Sequence, residues 1–151
     1  MDLQAETKTT QFENMYHQAI INVMITNNWC NEKVRQAVSQ HDVTAQQFNI
    51  LRILRGQFPK PSTINLLKDK MLDKMSDASR IVDRLVQKDL VIKATNKSDK
   101  RAVDIIISEK GLKLLKKMDK EVSFAAIVSP NLTQEEAEQL NELLNKLRGR
   151  G

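Results

Sequence analysis

The stretch TNKSDKRAVDIII, residues 95–107, places a short polar loop with three cations directly before a run of Val and Ile. The apolar run LVIKA, residues 90–94, precedes the loop, and in the run after it Val103, Ile105 and Ile107 alternate with other residues. A period of two puts these three side chains on one face of a strand. Two apolar runs joined by a mid-length loop predict a β-hairpin.

The loop of this hairpin, TNKSDKR, carries charge that the hairpin itself does not neutralise. Lys97, Lys100 and Arg101 lie at its tip, and Asp99 precedes Arg101 by two residues. Asp99 can pair with the guanidinium of Arg101 and so hold the shape of the loop. The electrostatic attraction on an arginine is strongest where negative potential is concentrated, as in a narrow minor groove of DNA. We interpret the loop as a DNA-contacting wing; the alternative is a solvated turn with a weak surface ion pair.

Two helices are predicted in the first third of the chain. Residues 10–40 have apolar positions close to a 3.6-residue period, and Thr10 with Glu13 has the spacing of a capping box. A second helix spans residues 44–56 and begins with another capping-box pair, a threonine and a glutamine three residues apart.

Two shorter helices precede the hairpin. One is predicted at about 62–72, and one lies in the segment KMSDASRIVDRLVQKD, residues 74–89, with Asp73 as its cap. Helix, helix, short helix, helix, strand, basic loop and strand is the element order of a winged helix-turn-helix. The predicted fold class is therefore mainly α with a small β-hairpin wing.

The helix directly before the hairpin has the composition of a recognition helix. Short polar side chains and cations at the N-terminal end of such a helix reach base edges and phosphates in the major groove. This end offers Ser76, Asp77, Ser79 and Arg80, with Arg84 one turn further on. An ordinary amphipathic surface helix is the alternative, and the adjoining hairpin weakens it.

The C-terminal third predicts two further helices. Ser108 caps a helix at about 109–127, and Thr133 with Glu136 opens the last helix with a third capping box. The apolar surfaces of the first and last helices exceed what one small lobe buries, which favours dimerisation over an intramolecular bundle. The candidate interface residues are Phe12, Met15, Leu140, Leu143, Leu144 and Leu147.

Composition restricts the class of protein. The 151 residues are 40% hydrophobic, enough for one compact domain with a dimerisation extension. No apolar stretch approaches the ~18 residues of a membrane span. The net charge is +5, and residues 60–101 hold the whole excess, eleven Lys and Arg against six Asp and Glu. Such a window suggests a polyanionic partner, with an ordinary solvated surface as the alternative. The polar N-terminus and the single cysteine favour a cytoplasmic location.

The sequence offers no motif for catalysis or for a cofactor. It lacks a P-loop, a G-x-S-x-G element and a nucleotide fingerprint, so neither an enzyme nor a cofactor is expected. His17 and His41 lack metal-ligand spacing, and no metal site is predicted. Cys30 has no second cysteine to resolve a disulfide, so buried packing is favoured over a redox switch.

The segments RIVDRLVQKDLV and SDKRAVDIIISEKGLKLL together resemble the MarR (multiple antibiotic resistance regulator) family of bacterial transcription factors. The resemblance covers roughly residues 10–149, and its most specific elements are the D-x-R-A wing signature and the S/T-E-K-G helix start. It implies a triangular homodimer whose first and last helices form the interface and whose two winged lobes bind adjacent major grooves of a near-palindromic operator. Such proteins mostly repress transcription, and many release DNA when a small aromatic or phenolic ligand binds between the dimerisation and DNA-binding regions.

The resemblance also implies roles for individual residues. Those that would read or clamp DNA are Ser76, Asp77, Ser79 and Arg80. Arg101 would enter the minor groove with the support of Asp99. Candidate ligand-lining residues from the first two helices are Tyr16, Ile20, Trp29 and Phe48, each with core packing as the alternative role.

The chain departs from the family pattern at two positions. Most members have glycine where this chain has Asp89. Glycine tolerates the left-handed C-cap conformation that aspartate enters at a cost, so the helix can end differently here. Asp77 stands where a small hydroxyl residue is more usual. Its carboxylate either accepts a hydrogen bond from the amine of a cytosine or turns back to cap the helix, and capping is favoured.

Together these observations predict one compact chain with three parts: a dimerisation helix at 1–40, a winged helix-turn-helix lobe at 41–108 and C-terminal dimerisation helices at 109–151. The predicted function is sequence-specific DNA binding by a homodimeric, ligand-responsive transcriptional repressor. The alternative is a winged-helix module that contacts proteins without specific DNA binding.

Overall fold

The computed structural model describes residues 11–151, a mainly helical chain with one two-stranded antiparallel sheet. In that part of the chain the elements are α1 (Met15–Ser39), α2 (Ala45–Gln57), α3 (Ile64–Lys70), α4 (Ala78–Gln87), β1 (Val91–Thr95), β2 (Val103–Ile107), α5 (Glu109–Glu121), α6 (Phe124–Val128) and α7 (Gln134–Leu147). The order from α1 to β2 is that of a winged helix-turn-helix, and the predicted fold class is confirmed.

The long first helix begins later than its sequence pattern indicates. Its N-cap is Asn14, whose Oδ1 accepts hydrogen bonds from the backbone amides of Tyr16 (2.9 Å) and His17 (3.0 Å). Asparagine is among the strongest N-cap residues, so Asn14 sets the start of the helix. The expected capping partner Thr10 lies outside the described residues, and the backbone amide of Glu13 instead donates to Nδ1 of His17.

The core is built around α2. This helix packs against α1, α3, α4, β2 and α5, and it begins with the predicted capping box: Gln47 N donates to Thr44 Oγ1 at 3.0 Å, and Thr44 N to Gln47 Oε1 at 3.1 Å. The fully buried large side chains come from six elements and are Val38, Ile50, Leu51, Leu54, Leu67, Val82, Leu85, Ile105, Ile107, Leu115 and Met118. The buried face of α4 and the buried side chains of β2 pack both elements against the body of the lobe.

The hairpin forms as predicted, with each strand beginning one residue later than expected. Its register runs from Val91 opposite Ile107 to Thr95 opposite Val103. Ser62 adds a short bridge to the outer side of β2, because its N–H donates to the carbonyl of Ile105 at 2.7 Å and its carbonyl accepts from the Ile105 N–H at 2.9 Å. The predicted helix at 62–72 is therefore shorter, since Ser62 belongs to the sheet and Thr63 is the N-cap of α3.

The single helix predicted at about 109–127 is two helices in the structure. Ser108 caps α5 as expected, with Gly111 N donating to its Oγ at 3.0 Å, but α5 ends at Glu121. Ser123 then caps the separate α6, and the Phe124 ring packs edge-to-face on Phe48 of α2 with 5.8 Å between ring centroids. A serine that satisfies backbone amides at a new helix start competes with continuation of the old helix.

Candidate nucleic-acid interface

The N-terminus of α4 is capped by Asp77. Its Oδ1 accepts a hydrogen bond from Arg80 N at 3.2 Å, which is the capping role favoured from the sequence. Asp73, which was expected to cap this helix, lies too far upstream. It shapes the preceding turn instead: its Oδ1 accepts from Met75 N at 3.0 Å and its carbonyl from Ser76 N at 3.3 Å.

One face of α4 is buried and the other is free. Ala78, Val82 and Leu85 are fully buried in the core. Among the predicted DNA-binding residues, Ser76 is half-buried, and the exposed ones are Ser79, Arg80 and Arg84. The helix therefore has the division expected of a recognition helix, with an anchored face and a cationic outer face.

The wing loop is organised by Asn96, a residue that the sequence reasoning did not single out. Asn96 Oδ1 accepts hydrogen bonds from the backbone amides of Ser98 (2.8 Å) and Asp99 (2.9 Å), and Nδ2 donates to Asp104 Oδ1 at 2.9 Å. An asparagine that binds the backbone two and three residues on is a common turn former. Its position at the start of the loop was the available signal.

Asp99 supports the wing through the backbone and not through the guanidinium of Arg101. Its Oδ1 accepts from Arg101 N at 3.0 Å, and its carbonyl accepts from Ala102 N at 3.0 Å. The expected side-chain pair is therefore wrong: no ion pair of residues 11–151 joins Asp99 to the Arg101 guanidinium, and Asp99 closes the turn instead. Five ion pairs occur among residues 11–151, and none includes Lys97, Lys100 or Arg101, all of which are exposed.

An ion pair joins the recognition helix to the wing. Asp83 lies on the exposed face of α4, and its Oδ1 is 2.9 Å from Nζ of Lys93 on β1. Because β1 leads into the wing loop, this contact holds the stem of the wing beside the outer face of α4. Arg80 and Arg84 flank Asp83 on that same face.

The helix α4 ends in the backbone conformation that glycine usually adopts at this position, although the residue here is Asp89. Asp89 has φ of 62°, in the left-handed region. Leu90 N donates to the carbonyl of Leu85 and Asp89 N to that of Val86, both at 3.0 Å, which is the Schellman arrangement. The carbonyl of Asp89 also accepts from Ser108 Oγ at 2.6 Å. The departure from the family pattern leaves the geometry unchanged.

The candidate interface residues near and within the first and last helices are not buried in the core. Leu144 and Phe12 are half-buried, while the exposed ones are Met15, Leu140, Leu143 and Leu147. No residue of α7 is buried within the single chain.

A large open groove of about 1250 Å³ lies between α1, α2 and the turn before α4. Phe48 lines it as expected, whereas Tyr16, Ile20 and Trp29 do not. Arg52 also lines the groove, and its guanidinium lies 5.6 Å from the Phe48 ring centroid and 5.7 Å from that of Phe124. The groove thus combines aromatic faces with positive charge.

Comparison with known proteins identifies this architecture. The model of the MarR family matches residues 43–103, which span α2 to the start of β2. Residues 43–103 are a MarR-family domain. The resemblance inferred from the recognition helix and the wing is confirmed.

Proteins similar to this chain over most of its length are transcription regulators. The HTH-type transcriptional regulator MhqR of Bacillus subtilis is 27% identical over 119 residues, covering 78% of this chain and 80% of its own. E. coli MarR in complex with operator DNA, as a cysteine-to-serine mutant, superposes with a TM-score of 0.78 at 25% identity, covering 91% of this chain and 99% of its own. A MarR-like transcription regulator from Bacillus cereus superposes with a TM-score of 0.79 at 21% identity, over 90% and 98% of the two chains.

The matched family and the similar proteins are transcription regulators and not enzymes. Within residues 11–151, no helix combines the length and the apolar character that crossing a bilayer requires.

Proposed function

We propose that this chain is a cytoplasmic, homodimeric transcriptional repressor that binds a near-palindromic DNA operator with α4 and the wing loop of each subunit. The residues proposed to contact DNA are Ser76, Ser79, Arg80, Arg84, Lys97, Lys100 and Arg101. Asp77 and Asp99 act by holding the backbone that presents them.

One observation carries the proposal. The cations of the α4 outer face and of the wing have no acidic partner in the described chain, and the Asp83–Lys93 contact holds the two elements side by side. Exposed, unpaired cations on neighbouring elements attract a polyanion and release its counterions on binding. The E. coli relative bound to operator DNA supports the choice of duplex DNA as that polyanion.

Homodimerisation is supported by the terminal helices. The α7 helix has 14 residues and buries none of them, yet Leu143 is 64% exposed on its apolar stripe. A helix of this length is marginal in water without packing, so its stripe needs a covering partner. On α1, Tyr16 is 87% exposed and Met15 is also exposed, which adds apolar surface at the other end of the chain.

The groove beside α2 has the chemistry to bind a small aromatic ligand. Phe48 and Phe124 supply ring faces, and Arg52 supplies a cation that would attract a phenolate or carboxylate substituent. The groove also borders Leu72 and Lys74 in the turn that leads into α4. A ligand bound there would therefore change the position of the recognition helix and weaken DNA binding.

Selection of bound duplexes from a random pool tests the proposal. We expect two inverted half-sites about one helical turn apart, ~34 Å, matching a two-fold dimer. Affinity for the selected site should fall linearly with salt on a log–log plot. An absence of enrichment, or binding that salt does not weaken, would reject DNA binding and favour a protein-interaction module.

The dimer is tested separately by mass in solution. Leu143→Lys should convert the dimer to a monomer, because it places a charge on the apolar stripe of α7. Asn141→Lys adds the same charge to the same helix on the side away from Leu143 and should remain dimeric. Sedimentation equilibrium distinguishes the two, and equal masses for both variants would contradict the proposed interface.

A further inference from the structure

The turn between α3 and α4 presents a large apolar side chain where polar residues are usual. Met75 is 93% exposed, more than any other exposed large hydrophobic residue of the described chain. It precedes the N-cap Asp77 by two residues, so it stands beside the end of α4 that a recognition helix directs to base edges.

Hydrogen bonds hold this turn in one shape. The carboxylate of Asp73 accepts from the backbone amide of Met75 itself, and the Asp73 carbonyl accepts from Ser76 N. The ammonium of Lys74 folds back onto the carbonyls of Lys68 and Asp69 at the C-terminal end of α3. The Lys74 ammonium is therefore hydrogen-bonded within the lobe, whereas the Met75 side chain is free to contact a partner.

Leu72 provides a contrast three residues upstream. It is 83% exposed, but it lines the groove beside α2, and its backbone amide donates to Asn49 Oδ1 at 3.0 Å. Met75 does not line that groove. The two exposed apolar side chains of one turn therefore have different surroundings, and the groove accounts for only one of them.

The chemistry of the major groove identifies a partner for Met75. Base edges there present donors, acceptors and one apolar group, the C5-methyl of thymine. Ser79 and Arg80 can serve the donors and acceptors, whereas a thioether is a weak acceptor and gains little from a phosphate. A flexible, polarisable methionine adapts its shape to a small apolar group.

We propose that Met75 reads the C5-methyl group of a thymine in each operator half-site. The inference rests on the proposed DNA-binding function and adds a specificity-determining residue to it. Discrimination of thymine from cytosine or uracil at that base then depends on apolar contact and not on hydrogen bonding.

Single replacement of thymine by deoxyuridine in the selected duplex tests the contact, because deoxyuridine lacks only the methyl group. Wild-type protein should bind about fourfold more weakly when one particular thymine of a half-site is replaced, the amount expected for one buried methyl group. Met75→Gln, with a side chain of similar length, should bind the thymine and deoxyuridine duplexes equally.

Leu72→Gln is the matched control, since it removes an exposed apolar side chain from the same turn and should retain the fourfold methyl sensitivity. Thermal midpoints of all variants should match wild type, because both side chains are exposed.

Two outcomes overturn the inference while leaving the DNA-binding proposal intact. One is wild-type binding to the selected site that no deoxyuridine replacement weakens. The other is Met75→Gln protein that stays as sensitive to the methyl group as wild type. Failure of wild-type protein to enrich any duplex would instead reject the DNA-binding function itself.

Discussion

Asp83 on α4 and Lys93 on β1 form an ion pair of 2.9 Å that joins the exposed face of the recognition helix to the strand entering the wing. Both side chains are substantially exposed, so the pair adds at most about 1 kcal/mol to folding stability. Its importance is positional, because two contact elements held at a fixed distance lose less freedom on binding a rigid duplex.

Asp83→Asn tests this positional role. The substitution makes the DNA-facing surface more positive, so electrostatics alone would tighten binding. We expect binding about threefold weaker, because the wing stem is released from α4 and must be ordered on binding. Fluorescence anisotropy measures the change, and Asp69→Asn, which removes a carboxylate outside any described ion pair, is the control. Tighter binding by Asp83→Asn would show that the link contributes nothing.

Arg101→Ala should weaken DNA binding without changing the thermal midpoint. The guanidinium has no acidic partner in the described chain, and the loop is shaped by the backbone amide of Arg101, which alanine keeps. Loss of one phosphate contact should lower the salt dependence of log K by about one. Arg35→Ala removes an equal charge from α1 and should leave that slope unchanged. An unaltered slope for Arg101→Ala would remove the wing from the interface.

The two roles considered for Asp77 predict different results for Asp77→Ser. A serine also caps a helix, so stability should hold, whereas Asp77→Ala should lose about 1 kcal/mol in denaturant unfolding. The serine variant should bind DNA more tightly, because a carboxylate near phosphates is removed. Its selected half-site should equal that of wild type. A changed preference at a cytosine would assign base reading to Asp77 in addition to capping.

The Arg55–Asp119 contact between α2 and α5 predicts a pH dependence of stability. Two hydrogen bonds from the Arg55 guanidinium, at 2.7 and 3.1 Å, hold the pKa of the Asp119 carboxyl below its ordinary value. A lowered folded-state pKa stabilises the fold above the unfolded-state pKa, and this contribution is lost as pH falls through the lowered value. The side chain is half exposed, so Asp119→Asn should cost at most about 1 kcal/mol at neutral pH and nothing at strongly acidic pH. Equal losses at both pH values would contradict the assignment.

Local patterns in the sequence predicted most of the fold. The capping boxes at Thr44 and Thr133 and the alternation of Val103, Ile105 and Ile107 depend only on neighbours in the chain, and the structure contains all of them. The end of the helix at 109–127 was missed because Ser123 and Phe124 break it, and the contact of Phe124 with a phenylalanine of α2 is not visible in sequence.

The sequence predicted which residues form the candidate site but not the contacts between them. The family resemblance and the charge window pointed to the recognition helix and the wing. The Asp83–Lys93 pair links residues ten positions apart on different elements, so no local pattern contains it. Asp99 was assigned to the Arg101 guanidinium because opposite charges two residues apart suggest a pair, whereas closing the turn required a bond to the backbone amide.

Asp89→Gly should stabilise the protein, because Asp89 occupies the left-handed region at φ of 62°. An L-residue with a Cβ enters that region at a cost that glycine avoids, and the glycine loses somewhat more chain entropy on folding. We expect a net gain of about 0.5–1 kcal/mol, or ~1–4 °C in the thermal midpoint. DNA affinity should stay at the wild-type value, since the hydrogen bonds that end α4 come from the backbone and from Ser108.

The contrasting variant is Asp89→Ala, which keeps a Cβ and lacks the short polar side chain that eases the left-handed conformation. It should lower the thermal midpoint while Asp89→Gly raises it. If both variants lowered the midpoint, the aspartate side chain itself would stabilise this helix end. The side chain of Asp89, and not the backbone conformation, would then explain why this position is not glycine.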